Sequence, residues 1–313
     1  MIRIFKTEDG TIHEKQEMQP GSWIALTNPT ASEIIDVADA CRIDPDHLKA
    51  PLDEEERSRI EAEDEYTLIL VDIPSIEERN GKDWFVTIPM AIITTKDVLI
   101  TVCLEETPIL TAFMDGRVRD FHTFMKTRFI LQILYKNATQ YLQYLRIIDK
   151  KSEVIENKLH QSQKNEELIE LLELQKSLVY FTTSLRSNEV VLEKLLRIDK
   201  IKKYPEDTDL LEDVIVENKQ AMEMTSIYNG ILSGTMDTFA SVISNNLNIV
   251  MKFLATVTIV MSIPTMVASF YGMNVRASGM PFAEHPYGFG IVLFFTLVLT
   301  LIVAYIFNKK DLF

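Results

Sequence analysis

Cysteine is scarce in this chain, with Cys41 and Cys103 the only two among 313 residues. Two thiols so far apart exclude a disulfide framework and a thiolate metal cluster, and they fit a reducing compartment. Histidine is nearly as rare: His13, His47, His122, His160 and His285 are dispersed without an i, i+4 pair, so no imidazole zinc site is visible. Also missing are a phosphate-binding Gly-rich loop ending in Lys-Ser/Thr, a His-Glu-x-x-His and a Gly-x-Ser-x-Gly, which argues against an enzyme. Met1-Ile2-Arg3-Ile4-Phe5-Lys6 is not followed by an apolar segment, so no secretory signal is expected and residues 1–245 are expected in the cytosol. Positive charge is outweighed, with 32 Lys and Arg against 46 Asp and Glu and a net charge of -14. That balance speaks against nucleic acid as a partner and is compatible with cation handling, although ordinary acidic soluble proteins share it.

Charge of either sign is wholly absent from two long stretches. Positions 253–275 and 285–308 contain no Asp, Glu, Lys or Arg. Each is long enough to cross a bilayer as a helix, since about 20 residues at roughly 1.5 Å rise match a hydrocarbon core of about 30 Å. Two spans return the C-terminus to the side of the N-terminus. Lys252, Lys309 and Lys310 then flank the inner ends and Arg276 alone lies outside, in keeping with the positive-inside tendency.

The remainder divides by periodicity. Trp23-Ile24-Ala25-Leu26, Thr67 to Val71, Phe85 to Ile93 and Val98 to Val102 read as strands, with a helix starting at Ala31 and a turn over residues 78–83 containing Asn80-Gly81. From about Arg117 the pattern is helical. Helices over 118–160 and 165–203 are expected to join at Gln161-Ser162-Gln163-Lys164, with Asn165 as N-cap, and to pack as a coiled-coil-like hairpin through Leu171, Leu174, Leu178, Phe181, Leu185, Leu192 and Leu195. Pro205 ends the second helix. A third, capped by Asp207-Thr208-Asp209, runs from Asp209 to Phe270 and would be on the order of 90 Å long.

Along this third helix, alternating steps of four and three from Asp237 give Ser241, Ser244, Asn248, Met251, Ala255, Thr258, Ser262, Thr265, Ser269 and Gly272. Apart from Met251 every member is small, polar or both. A 3.5-residue period holds such a stripe on one seam of a left-handed bundle. Inside a bilayer the stripe either lets helices approach closely or lines a water-filled path. Asp237 extends the same seam below the membrane, and carboxylates facing their own copies repel unless a cation or water lies between them. Asp213 stands 24 residues earlier. Either Asp can equally be a solvated surface acid.

The outer end of the first span reads Tyr271-Gly272-Met273-Asn274. This resembles the Tyr-Gly-Met-Asn signature of the CorA family of magnesium transporters and stands where that family carries it, just outside the first of two C-terminal spans. Ser244-Asn245-Asn246-Leu247-Asn248-Ile249-Val250-Met251-Lys252 resembles the family's stalk-to-membrane junction, and Leu99-Ile100-Thr101-Val102 the last strand of its head domain. The likeness covers the whole architecture and is most specific from residue 205 onward.

The resemblance implies an α+β cytosolic head domain with a long helical hairpin and stalk helix, plus two C-terminal transmembrane helices, assembled as a homopentameric funnel in the cell membrane with both termini cytosolic. Its segments would be the head over 1–116, the hairpin over 117–204, the stalk over 205–249, a pore-lining span over 250–274, an outer loop over 275–287, a second span over 288–307 and a basic tail over 308–313. Gly272, Met273 and Asn274 would form the selectivity filter, with Gly272 supplying a non-helical corner. Asp237, Ser241, Ser244, Asn248, Met251, Leu254, Thr258, Ser262, Thr265 and Ser269 would line the pore. Asn274 and Asp237 would meet the ion. Mg2+ would be both the transported and the regulatory ion, Co2+ and Ni2+ further candidates, and no separate cofactor is implied. Cytosolic Mg2+ would hold the pore shut by bridging Asp213 to a head-domain acid among Glu54, Glu55, Glu56, Glu61, Glu63, Asp64 and Glu65 of another copy. Two other readings stand beside this one: a zinc or cobalt transporter of the same superfamily, against which Met273 argues modestly, and a membrane-anchored coiled-coil signalling protein, whose first span should carry a Leu/Ala seam instead of Ser and Thr.

Overall fold

The computed structural model describes residues 1–79, 81–162, 165–197 and 205–310. They fall into two compact units, Met1–Met236 and Asp237–Phe313.

The first unit is built on one sheet. Strands β1 (Ile2–Glu8), β2 (Thr11–Lys15), β3 (Trp23–Thr27), β4 (Arg59–Ala62), β5 (Tyr66–Arg79), β6 (Lys82–Thr95) and β7 (Leu99–Cys103) lie in the order β2-β1-β3-β7-β6-β5-β4. β3 and β7 are parallel, and the other neighbours antiparallel. Side chains alternate across a strand, so Leu68 and Leu70 enter one core while Ile69 and Val71 enter the other. Burial on both faces is why this stretch reads as an unbroken apolar run. Helices α1 (Ala31–Cys41) and α2 (Pro45–Lys49) complete the first core through Ile34, Val37, Ala38 and Leu48. Helices α3 (Pro108–Met114), α4 (Lys126–Ser162), α5 (Asn165–Leu195) and α6 (Pro205–Tyr271) contribute to the second. There Trp23 packs among Phe5, Phe113, Phe121 and Phe129 with its indole N–H donating to Thr101 at 2.9 Å.

The four sequence-predicted strands are present, and β1, β2 and β4 join them. The turn expected over 78–83 is narrower, because Glu78 pairs with Asp83 and Arg79 with Lys82. Asn80 lies outside the described residues. The first long helix begins at Lys126 instead of 118: Gly116 and Asp120 have φ of +66° and +52°, a backbone that no right-handed helix contains. The second hairpin helix ends at Leu195, and residues 198–204, like Gln163 and Lys164 at the expected joint, are outside the described set. All seven heptad residues, from Leu171 to Leu195, are buried. The third helix starts at Pro205, four residues before the expected Asp209, since proline at the first position has its φ preset and no N–H to satisfy.

One polar clamp ties the sheet to the hairpin. Pairing of β5 with β4 stops at Leu70, so the main chain of Asp72 lacks a strand partner on that side. Asn188 of α5 replaces it, its Nδ2 donating to the Asp72 carbonyl at 2.7 Å and its Oδ1 accepting from the Asp72 N–H at 2.9 Å. Asn137 and Tyr141 of α4 donate to the same carbonyl at 2.9 and 3.2 Å. The Asp72 carboxyl beneath them is pushed above its ordinary range by burial, opposed by hydrogen bonds from Ser184 and Ser58. A carboxyl whose folded pKa is raised favours folding below its unfolded pKa of 3.8 and loses that contribution as pH climbs through the folded value. Asp72→Asn should therefore raise the melting temperature at pH 7, with the advantage shrinking toward pH 4, as read by thermal denaturation across that range.

The second unit comprises the C-terminal part of α6 from Asp237, a short 3-10 turn (Ala277–Gly279) and α7 (Gly288–Lys309). Pro264 sits inside α6 without ending it. Both helices are long and apolar enough to cross a membrane.

Candidate functional site

The stripe of small and polar residues lies on α6 within the second unit. Val267 and Tyr271 of α6 line one cleft with Val292, Phe295, Thr296 and Leu299 of α7, and the nearby α6 residues Thr256, Val260 and Ile263 are buried or half-buried. At 100° per residue these positions share one side of the helix, and Thr258, Ser262, Thr265 and Ser269 fall roughly opposite. The opposite side is bare in the single chain: Asp237, Ser241, Ser244, Asn248, Met251, Ala255, Thr258, Ser262, Thr265, Ser269 and Gly272 are all exposed. Leu254, next to Met251, is also exposed. Thr258, Ser262, Thr265 and Ser269 share a shallow groove with Met261 and Met266.

Three of the hydroxyls have their protons committed. Thr258 donates to the Leu254 carbonyl at 2.7 Å, Ser262 to Ile259 at 2.7 Å and Thr265 to Met261 at 3.2 Å. Such bonds satisfy a hydroxyl within an apolar helix, and they leave oxygen lone pairs facing outward as acceptors.

Above the stripe, α6 ends at Tyr271 and the residues Gly272, Met273 and Asn274 follow it, exposed. The expected non-helical corner begins at Gly272: Tyr271 is the last helical residue and Gly272 and Met273 lie in a turn and a bend. The Gly272 N–H still bonds the carbonyls of Ala268 and Ser269 at 2.9 and 3.2 Å, and its φ is outside the left-handed region. A residue just past a helix end still donates into the last turn, and the chain leaves α6 here without a left-handed glycine.

Two contacts hold the loop beyond Asn274, and neither was legible beforehand. Tyr271 Oη donates to the carbonyl of Pro281 at 2.7 Å, closing a ring of chain around the signature residues. Phe282 takes a left-handed φ of +63°, and its carbonyl oxygen would stand 2.0 Å from any Cβ built on Gly288. The bare α7 start at Gly288 is the sequence signal that could have revealed it.

In the first unit Asp213 is exposed between Leu211 and Val214, which are buried in the core. Of the acids expected as its partners, Glu56 and Glu61 are engaged by Arg59, and Glu61 also by His47 at 3.2 Å. Glu54, Glu55, Glu63, Asp64 and Glu65 are exposed. Among the described residues of one chain, no three His, Cys, Asp or Glu side chains converge as a metal site.

A family model described as CorA-like Mg2+ transporter protein matches residues 19–310. The chain belongs to that family. A cobalt/magnesium transport protein CorA from Methanocaldococcus jannaschii is 28% identical over 297 residues, covering 92% of this chain and 90% of that protein. Its counterpart from Thermotoga maritima is 23% identical over 99% of this chain and 88% of its own length. The complete structure of the M. jannaschii CorA magnesium transporter superposes with a TM-score of 0.86 at 25% identity, covering 99% of this chain and 98% of that one. The ZntB cytoplasmic domain from Vibrio parahaemolyticus, at 11% identity and a TM-score of 0.61, shares the fold alone. Within the CorA family this chain is a membrane transporter, and its two apolar helices are the membrane-capable part.

Gly288→Ala should distort the loop that follows the signature. Overpacking of this kind costs about 1–3 kcal/mol, so both the melting temperature and Mg2+ uptake into proteoliposomes should fall. Gly290→Ala, where a Cβ meets nothing within 4 Å, should change neither.

Proposed function

We propose that this chain is the subunit of a homopentameric channel that passes Mg2+ passively into the cell, with Co2+ and Ni2+ as further permeant ions, and that cytosolic Mg2+ closes it. The observation that carries the proposal is the exposed stripe of acceptors on α6, on the side of the helix away from α7. Mg2+ sheds water reluctantly. A path for it must offer acceptors to the hydrogens of bound water, and hydroxyls whose own protons are spent on the backbone do that.

Five α6 helices with this seam inward would place Ser269, Thr265, Ser262 and Thr258 along the path. Met251 and Leu254 would narrow it to an apolar constriction able to close by dewetting. Ser241, Ser244 and Asn248 would line its cytosolic continuation, and Asp237 would hold the ion there. At the outer mouth, a ring of Asn274 amide carbonyls with Gly272 and Met273 would recognise the hydrated ion. The amide is neutral, so the ion is not trapped. Tyr271, bound to Pro281, holds this segment and does not itself meet the ion. The orientation follows from Lys252, Lys309 and Lys310 on the cytosolic side and Arg276 outside.

The regulatory site would span two copies, Asp213 of one facing a head-domain acid of the next, which accords with the absence of a converged acid cluster among the described residues of one chain.

Asn274→Ala should cut Mg2+ influx into proteoliposomes at least ~tenfold, the loss expected when each subunit gives up an acceptor worth roughly 1 kcal/mol, with the oligomer unchanged by size-exclusion chromatography. Parent-like flux would refute the filter. Asp213→Ala should leave the channel conducting at millimolar internal Mg2+, where the parent is shut; an unchanged inhibition curve in the same assay would remove Asp213 from the gate.

A further inference from the structure

The first unit contains a groove of about 780 Å³ between the tip of the β5–β6 hairpin, α4 and α5. It has nothing to do with the acidic character of the chain. Along α4, Arg146, Lys150, Lys151 and Lys158 recur at helical spacing on its wall, and Lys82 joins them from the hairpin. These five cations face three carboxylates, Asp83, Glu170 and Glu173, in a protein whose net charge is -14. Lys151 is paired with Asp83 at 2.8 Å and Lys82 with Glu170. Arg146 and Lys150 are exposed and have no carboxylate within ion-pair reach among the described residues.

The groove is also partly apolar. Trp84, half-buried, lines it together with Ile147, Val154 and Leu174. Arg79 sits over the indole at 4.8 Å and is not part of the groove wall. A volume in the range of roughly 300–1,000 Å³ suits a small molecule. An indole beside an apolar floor favours a flat ring, and a guanidinium with an adjacent ammonium favours phosphate oxygens, which the arginine fork binds in bidentate fashion.

We propose that this groove binds a nucleoside polyphosphate, with the base against Trp84 and the apolar floor and the phosphate chain on Arg146 and Lys150. An acidic surface of another copy would satisfy the charges but has no use for the indole, so the small ligand fits the groove better. A subunit that senses a phosphate-bearing nucleotide would read the cell's main organic ligand for divalent cations beside the ion itself.

The test uses full-length protein in detergent with sodium ATP in EDTA. Trp23 is fully buried and Trp84 is the only other tryptophan, so quenching of indole emission reports on the groove. Expected are a saturable quench by ATP, competition without quenching by inorganic tripolyphosphate, and a half-saturation concentration raised at least ~tenfold in Arg146→Glu/Lys150→Glu, as loss of charge-assisted bonds predicts. Trp84→Phe should abolish the signal and weaken ATP retention in equilibrium dialysis. Absence of a saturable quench, or an unchanged half-saturation in a double variant with parent-like circular dichroism, would overturn the proposal. So would tripolyphosphate binding as tightly as ATP, which would make the groove a plain anion site. A double variant with altered oligomeric state, from a parent that ignores ATP, would hand the groove to another subunit and also overturn it.

Discussion

An apolar helix that carries a polar seam must put that seam against something other than lipid. In α6 this constraint governs the C-terminal unit. The side bearing Thr256, Val260, Ile263 and Val267 is turned to α7 or half-buried near it, and the opposite side, from Asp237 to Ser269, is left exposed in the single chain. Hydroxyls facing hydrocarbon would cost free energy that the internal bonds of Thr258, Ser262 and Thr265 only partly offset. A strict 3.5-residue period drifts by about 20° per heptad on a straight helix. The stripe therefore keeps to one seam only when several helices wind together, which is the physical ground for proposing a bundle of copies around a wet axis.

The head unit answers a different problem, that of anchoring long helices to a sheet. Its central strands are buried on both faces, and most of the anchoring is apolar, through Phe129, Leu134, Leu192 and Leu195. Apolar contact sets distance but not register. The clamp of Asn188, Asn137 and Tyr141 on the main chain of Asp72 supplies register, because a bidentate amide accepts one alignment of α5 against β5. Lys151 and Lys82 extend this fixing to the hairpin tip, beside the groove for which a nucleotide is proposed.

The fold and the candidate site were not equally legible. Long apolar runs and the 3.5-residue stripe depend only on neighbours along one helix or strand, so β5, β6, α5 and the two membrane-capable helices could be read directly. Short edge strands such as β2 and β4 carry mixed polar patterns, since one side of each is solvated, and they escaped. The beginning of α4 escaped too. It is decided by Asp120 and Gly116 adopting backbone angles that composition does not announce.

From sequence alone came the family, through Tyr271-Gly272-Met273-Asn274 beside two uncharged stretches, and the periodic stripe on which the proposed pore rests; both are patterns written within one short segment of chain. The tether from Tyr271 to Pro281, the fit of Gly288 against Phe282, the Asn188 clamp and the basic groove around Trp84 were decided by tertiary structure. Each joins groups distant in the chain or depends on how two elements meet, and no local periodicity encodes which distant groups will come within reach of one another.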